Sequence, residues 1–333
     1  VLAYIIRRLF NAVITLLVVT AVTFGIFFAI PKAIGSDPAL LYIGKQSDPA
    51  AIAGIRTKMG FDDPVIVQYG KFLKGIVAGR DYTNGPDVTH CPAPCLGYSF
   101  ATDQEVTPLL LDDLPVTLSL ALGAAVLWLI IGISAGVISA LRRGSFIDRA
   151  AMTTALAGVS LPVYFTGLLS SAIFVYWLGW LPQGQYTPFT ENPADWFVGL
   201  LLPWITLAFL FAATYARLTR ANMLETLGED YVRTARAKGL KERVVIGKHA
   251  LRSSLTPIVT VFGLDLGALL GGAVLTENVF NLRGLGYQAL TAIRQSDLPI
   301  ILGVTLIAAF FIVFFNLIVD LVYGVIDPRV RLG

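Results

Sequence analysis

The sequence predicts an all-α polytopic membrane protein with six transmembrane helices, both termini cytoplasmic, and one large extracytoplasmic insertion between the first two helices. Three observations predict it. Hydrophobic residues make up 56% of the 333 residues and charged residues only 14%, against about 25% charged in a typical soluble protein. A soluble fold built from this chain could not cover its own surface. Six runs with few or no charges each reach the roughly 20 residues needed to cross about 30 Å of hydrocarbon. Lys and Arg crowd alternate loops, as cytoplasmic loops do. The same composition excludes a disordered chain and a secreted disulfide knot. A net charge of +3 gives no reason to invoke nucleic acid.

Residues 1–30 form an N-terminal segment and the first helix, whose run Leu9 to Ile30 carries no charge. It reads as a retained helix, because a signal peptide has a shorter apolar region followed at once by a small-x-small site. Residues 31–115 form an extracytoplasmic loop or small subdomain, cut into short pieces by Pro, Gly and Asp. Pro49 to Met59 reads as a short helix. Pro64 to Ile76 reads as a second, with Ile66, Tyr69, Leu73 and Ile76 on one face. Residues 116–326 hold the other five spans, at 116–141, 150–181, 197–216, 257–276 and 299–326. Unbroken apolar runs of this length do not fit barrel strands. Pro162 is placed to bend the third span. Gly263, Gly267, Ala268, Gly271, Gly272 and Ala273 give the fifth a small-residue face suited to close helix packing. Trp180, Trp196 and Trp204 suit the membrane edges. Residues 327–333 are a short cytoplasmic tail.

Orientation follows from the basic residues. With the N-terminus inside, the inner side holds Arg7, Arg8, Arg142, Arg143 and Arg149, then Arg217, Arg220, Arg233, Arg236, Lys238, Lys241, Arg243, Lys248 and Arg252, and Arg329 and Arg331 in the tail. The outer loop 179–196 contains no Lys or Arg. Cys91 and Cys95, the only cysteines, then fall outside. Two thiols in an oxidising compartment favour a disulfide over free thiols or a metal site with His90.

The most informative stretch is the inner segment 225–252. Glu229 and Asp230 suit a helix start, where acids meet the positive end of the dipole. Tyr231 to Lys238 can be helical, Gly239 suits the exit, and Glu242 can begin a second short helix. A helix, glycine turn and helix at the inner surface can grip a cytoplasmic partner, with small Ala235 and Ala237 allowing close approach. A solvated, membrane-hugging basic loop is the bland alternative.

On these residues the sequence resembles the permease subunits of ABC importers of the dipeptide, oligopeptide and nickel type. The Glu-Ala-Ala signature of such permeases, with its Gly, aligns on Arg233-Thr234-Ala235 and Gly239. The later Ile-x-Leu-Pro falls on His249-Ala250-Leu251-Arg252. Tyr4-Ile5-Ile6-Arg7-Arg8-Leu9, Leu114-Pro115-Val116-Thr117-Leu118, Ser160-Leu161-Pro162-Val163-Tyr164-Phe165, Glu277-Asn278-Val279-Phe280, Gly284-Leu285-Gly286 and Ile326-Asp327-Pro328-Arg329-Val330 resemble further segments of the B-type subunit. Arg283 replaces a frequent Pro, and the Cys-containing insertion is not a general feature of the family.

The resemblance implies a type I importer permease in a bacterial inner membrane, forming half of a translocation path for di- or oligopeptides. Nickel or another small solute is the alternative cargo; a secondary transporter or channel is a more distant one. It implies a second homologous permease, two cytoplasmic ATPases carrying ATP and Mg2+, a lipid-anchored binding protein outside, and surrounding lipid. This chain binds no cofactor or metal, and it has no Gly-rich Lys-Ser/Thr phosphate loop with which to hydrolyse ATP. Arg233, Thr234, Ala235, Arg236, Lys238, Gly239 and Leu240 are the expected ATPase-coupling residues. Asp265 either lines the path or pairs at the subunit interface. Glu277 and Arg283 are further candidates for the path or subunit interface, or face the binding protein or each other.

Overall fold

The computed structural model describes residues 2–33, 35, 39, 49, 52–54, 56, 61–84, 87–99 and 101–326. The expected helix Pro49 to Met59 falls largely outside these residues, as does the tail 327–333. Four helices are long and apolar enough to cross a membrane: Ile6–Lys32, Val106–Leu141, Pro193–Leu227 and Leu298–Val319. Two further segments reach that length only as bent pairs. Phe146–Ser160 and Val163–Trp177 turn by 102°, and Glu242–Ser254 and Thr256–Leu270 turn by 48°. The protein is therefore an all-α polytopic membrane protein with four spans and up to six.

In chain order the first helix is α1, Leu2–Phe24, extended through a π-helical turn at Gly25–Ala29 to Ala33. Then come α2, Val65–Ala78, and α3, Val106–Leu141. The expected third span is instead α4, Phe146–Ser160, and α5, Val163–Ser171. Pro162 lacks a backbone donor and pushes Leu161 into an extended conformation, so the helix ends there rather than bending gently. Next is α6, Pro193–Leu227, capped by Asn192, whose side chain accepts from the Ala194 and Asp195 N–H groups.

On the basic side follow α7, Asp230–Ala237, and α8, which runs through Glu242–Val244, a π-helical stretch Val245–Leu251 and Arg252–Ser254. The chain ends with α9, Thr256–Leu270; α10, Val274–Val279; α11, Leu285–Gln295; and α12, Leu298–Ile326.

The core is built on α3 against α6. Gly132 and Gly136, one turn apart, let the two backbones approach. A Cβ at Gly136 would lie 2.6 Å from the Ala216 carbonyl oxygen. Van der Waals contact is what holds such a pair in lipid, where apolar burial offers no driving force. Trp128 is fully buried there, stacked 4.6 Å from Phe211. Trp204, expected at a membrane edge, is buried too, and its indole N–H donates to the Ser119 carbonyl at 2.9 Å. Gly263 and Gly267 of α9, and Gly271 just after it, face α12, against Val319, Ile312 and Ala308.

The subdomain between α1 and α3 is small and partly β. Two hairpins, β1 Arg80–Asn84 with β2 Asp87–Cys91 and β3 Tyr98–Ser99 with β4 Gln104–Glu105, were not legible as strands. The Cys91–Cys95 disulfide is present and both cysteines are buried. Helix α2 packs on α1 through Tyr69 and Phe72, with ring centroids 5.4 and 5.7 Å from Phe24. Of the four residues expected on one face, Tyr69, Leu73 and Ile76 are half-buried but Ile66 is 84% exposed, and Gln68 and Gly75 are buried beside them. Gln68 is drawn inward because its amide donates to the Phe61 and Asp63 carbonyls at 3.0 and 2.9 Å. The subdomain is tied to the membrane core by Ser99, whose hydroxyl donates to the buried Asp297 carboxylate just before α12. Burial pushes the Asp297 carboxyl up, and the Ser99 hydroxyl and Ile300 N–H hold it back.

A second latch closes the basic end. The buried Asp148 accepts from Arg220 Nε and Nη2 at 2.7 and 2.9 Å, from the Gly144 N–H at 2.8 Å, and from the Ser139 hydroxyl. One carboxylate thus joins α3, the α3–α4 turn, α4 and α6. Removing one partner of a buried pair leaves the other uncompensated. Arg220→Ala and Asp148→Asn are each expected to lower the thermal midpoint of the detergent-solubilised protein by several degrees, with the double variant little worse than either single one. Additive losses in scanning fluorimetry would show that the two side chains do not act as a unit.

Candidate functional site

The segment 225–252 forms the expected helix, glycine turn and helix. Asp230 stands in the first turn of α7, and the Glu229 carbonyl accepts from Val232 and Arg233 N–H at 3.1 and 3.2 Å. Gly239 has φ +75°, and its N–H donates to the Arg236 carbonyl at 2.9 Å. Only a residue tolerant of the left-handed region turns the chain this sharply. The turn is spanned by Arg236, whose Nη2 lies 2.8 Å from Glu242 Oε1.

The two faces of α7 differ. Val232 and Ala235 are buried against Val245, with Leu227 beside them. Ala235, expected to admit a partner closely, instead admits this chain's own α8. An acidic side chain at Ala235 would break internal packing before it met any partner. Tyr231, Arg233, Thr234, Arg236, Lys238, Gly239 and Leu240 are exposed. The outward face is therefore a basic ridge with Tyr231 and Leu240 as apolar contacts. Beside it, Asn222, Glu225, Thr226, Glu229, Tyr231, Ser253, Ser254 and Pro257 line a recess of about 340 Å³.

Two acids singled out in the sequence lie elsewhere. Glu277 is fully buried and faces neither a binding protein nor Arg283. Its Oε1 accepts from the Thr117 hydroxyl at 2.9 Å and its Oε2 from the Tyr287 N–H at 2.8 Å. Thr117 in turn accepts the Leu285 N–H at 2.8 Å. The carboxylate thus caps the start of α11 from another helix. A Cβ at Gly284 would come 2.7 Å from Glu277 Oε2, which accounts for the Gly284-Leu285-Gly286 run beside a buried acid. Burial pushes the Glu277 carboxyl up; Tyr287, Thr117 and Gly286 oppose this. Arg283 is exposed on the turn between α10 and α11. Asp265 is half-buried on α9, and its Oδ2 accepts from the Tyr215 hydroxyl at 2.9 Å.

Comparison with known proteins fits this arrangement. Residues 132–332 match the family model described as the inner membrane component of binding-protein-dependent transport systems, and residues 1–121 match the N-terminal model of such membrane components. The chain belongs to this family of inner membrane permeases. Among its relatives is a putative peptide transport system permease protein of Brucella abortus, 37% identical over 329 residues and 99% of both chains. A dipeptide transport system permease protein of Alkalihalophilus pseudofirmus is 37% identical over 355 residues, and a glutathione transport system permease protein of Pectobacterium atrosepticum is 36% identical over 330. Each comparison covers 99% of both chains.

Membership places the permease in a bacterial inner membrane as a multi-pass component and implies no ATPase site of its own. Several residues that organise it escaped sequence reasoning. Ser145-Phe146-Ile147-Asp148 has the spacing of a helix cap, and Ser145 does accept the Asp148 N–H at 3.2 Å. That signal finds Asp148 but not Arg220, which is 72 residues away. Thr117 and Tyr215 sit in apolar stretches of α3 and α6 and carry no local mark of their partners.

Proposed function

We propose that the permease is one of two homologous membrane subunits of an ATP-driven importer and forms half of a translocation path for di- or oligopeptides. The observation that carries this reading is end-to-end similarity: relatives matched over 99% of both chains are named for peptide, dipeptide and glutathione transport. Nickel or another small solute is the second reading for cargo. In this account the two bent pairs each count as one span, giving six, with both termini cytoplasmic and residues 31–115 outside.

Two cytoplasmic ATPases bind ATP and Mg2+, and one of them grips the exposed face of α7 through Arg233, Thr234, Arg236, Lys238, Gly239 and Leu240. Val232 and Ala235 seat α7 on α8, so a push on α7 moves the α8–α9 arm rather than a loose loop. Closure of the ATPases then biases the membrane helices between two states. Accumulation against a 10⁴-fold gradient needs about 5.5 kcal/mol, which this chain has no means to supply. A lipid-anchored binding protein delivers cargo on the outer side.

Affinity purification in mild detergent tests the reading. A second permease and two ATPases should copurify, and short peptides with the delivery protein should stimulate ATP hydrolysis several-fold. Undiminished peptide transport by this chain alone in proteoliposomes would reject it.

A further inference from the structure

We propose that Asp265 is a carboxylate subsite on the translocation path that receives the free N-terminal ammonium of a passing peptide. The proposal rests on the importer reading above and adds a chemical selection to it.

Helix α9 has two distinct sides. Gly263, Gly267 and Gly271 pack on α12. Pro257, Leu264 and Ala268, at i, i+7 and i+11, form an exposed strip with half-exposed Val261 between them. Asp265 stands at the edge of that strip. Its Oδ2 is held by the Tyr215 hydroxyl, and Tyr215 is fully buried against Trp128, with centroids 6.1 Å apart. Tyr215 therefore fixes the orientation of the carboxyl group through one oxygen. Among the described residues Oδ1 has no hydrogen-bond partner and Asp265 forms no ion pair.

An open carboxylate oxygen inside a membrane span is expensive against lipid and is retained where water or a cation meets it. The strip on which it borders leads to a polar opening. Pro257, two turns nearer the basic side, lines the recess that also holds Glu225 and Glu229. A cation leaving Asp265 along this side would thus meet carboxylates again at the exit. The one cationic group common to unmodified peptides is the N-terminal ammonium, charged at neutral pH and with hydrogen-bond donors suited to a carboxylate.

The native chain suits a cysteine-reporter test, because its only two cysteines are joined. Ala268→Cys would be placed in the complete complex, and its labelling by a cationic and an anionic methanethiosulfonate compared. We expect about a tenfold preference for the cationic reagent, of the size that local charge focusing produces. That preference should vanish when Asp265→Asn is added. Labelling should slow while a free-amine dipeptide is being transported. Asp265→Asn should lower kcat/KM for that dipeptide about tenfold, and Asp265→Glu should restore much of it.

A reporter inert to both reagents while transport remains ATP-driven would overturn the subsite and leave the importer standing. Loss of the second permease from the Asp265→Asn complex would overturn it in favour of a structural pair with a basic residue of that subunit. ATP-independent transport would instead overturn the importer reading.

Discussion

Gly239→Val is expected to reduce transport about tenfold or more while leaving the amount of protein in the membrane unchanged. A Cβ at this position would meet nothing within 4 Å, so crowding is not the reason. The reason is φ +75°. A left-handed conformation costs an L-residue roughly 1–2 kcal/mol, and a β-branched side chain is among the poorest candidates for it. The turn would relax, α7 would tilt on α8, and Arg236 would lose its alignment with Glu242. About 1.4 kcal/mol is a factor of ten in any equilibrium that depends on the turn. Gly239→Asn should keep most activity, because Asn enters the left-handed region readily. The measurement is peptide-stimulated ATP hydrolysis together with ATPase retention on the purified complex. A Val variant that matches Asn in both would show that the turn geometry plays no part in coupling.

Glu277→Ala is expected to destabilise the protein by about 3 kcal/mol, because the buried Thr117 hydroxyl and the Tyr287 N–H lose their shared acceptor at once. The loss should be local to the start of α11. Hydrogen exchange at Leu285 and Tyr287 should accelerate far more than in α6, and Glu277→Gln should recover part of the protection by keeping one carbonyl oxygen. Uniform acceleration across the molecule would contradict this local cap. The pH dependence has a definite sign. Burial raises this carboxyl above its unfolded value, so the folded state binds the proton more tightly than the unfolded chain. Its contribution to stability is full below the unfolded value and is lost as pH rises through the raised one. Glu277→Gln should flatten that slope.

Both predictions concern positions that the sequence flagged, but the physical reasons differ in origin. The glycine turn was legible because it depends on local chemistry: acids at a helix start and a residue free to take positive φ. Glu277 was visible as an acid next to the end of an apolar run, but it was expected to face a binding protein or Arg283, and it is fully buried. Its partners come from α3, 160 residues earlier, and from the start of α11. No local pattern encodes such a meeting.

The faces of the helices were misread for a related cause. Periodicity marks a buried side only where polar residues mark the other, and α3, α9 and α12 are apolar nearly all round. In α2 and α7 the pattern was present but incomplete. Ile66 shares its expected face with the half-buried Tyr69, Leu73 and Ile76 and yet is exposed; Ala235, expected to admit a partner closely, is buried. In both helices the neighbour that covers one side, α1 or α8, decides the matter.

The sequence by itself determined that this chain lives in a membrane, that four of its six apolar runs form long helices able to cross it, which segments carry the positive charge, and where a helix, glycine turn and helix form. Those properties follow from transfer of short segments into hydrocarbon and from backbone preferences within one turn. Tertiary structure alone decided that Pro162 separates two helices at 102°, that Asp148 meets Arg220, that Asp297 holds the subdomain between α1 and α3 through Ser99, and that Tyr215 fixes Asp265. Each of these needs residues brought together from distant parts of the chain, and in a low-dielectric interior a polar group is stable only once that distant partner has arrived.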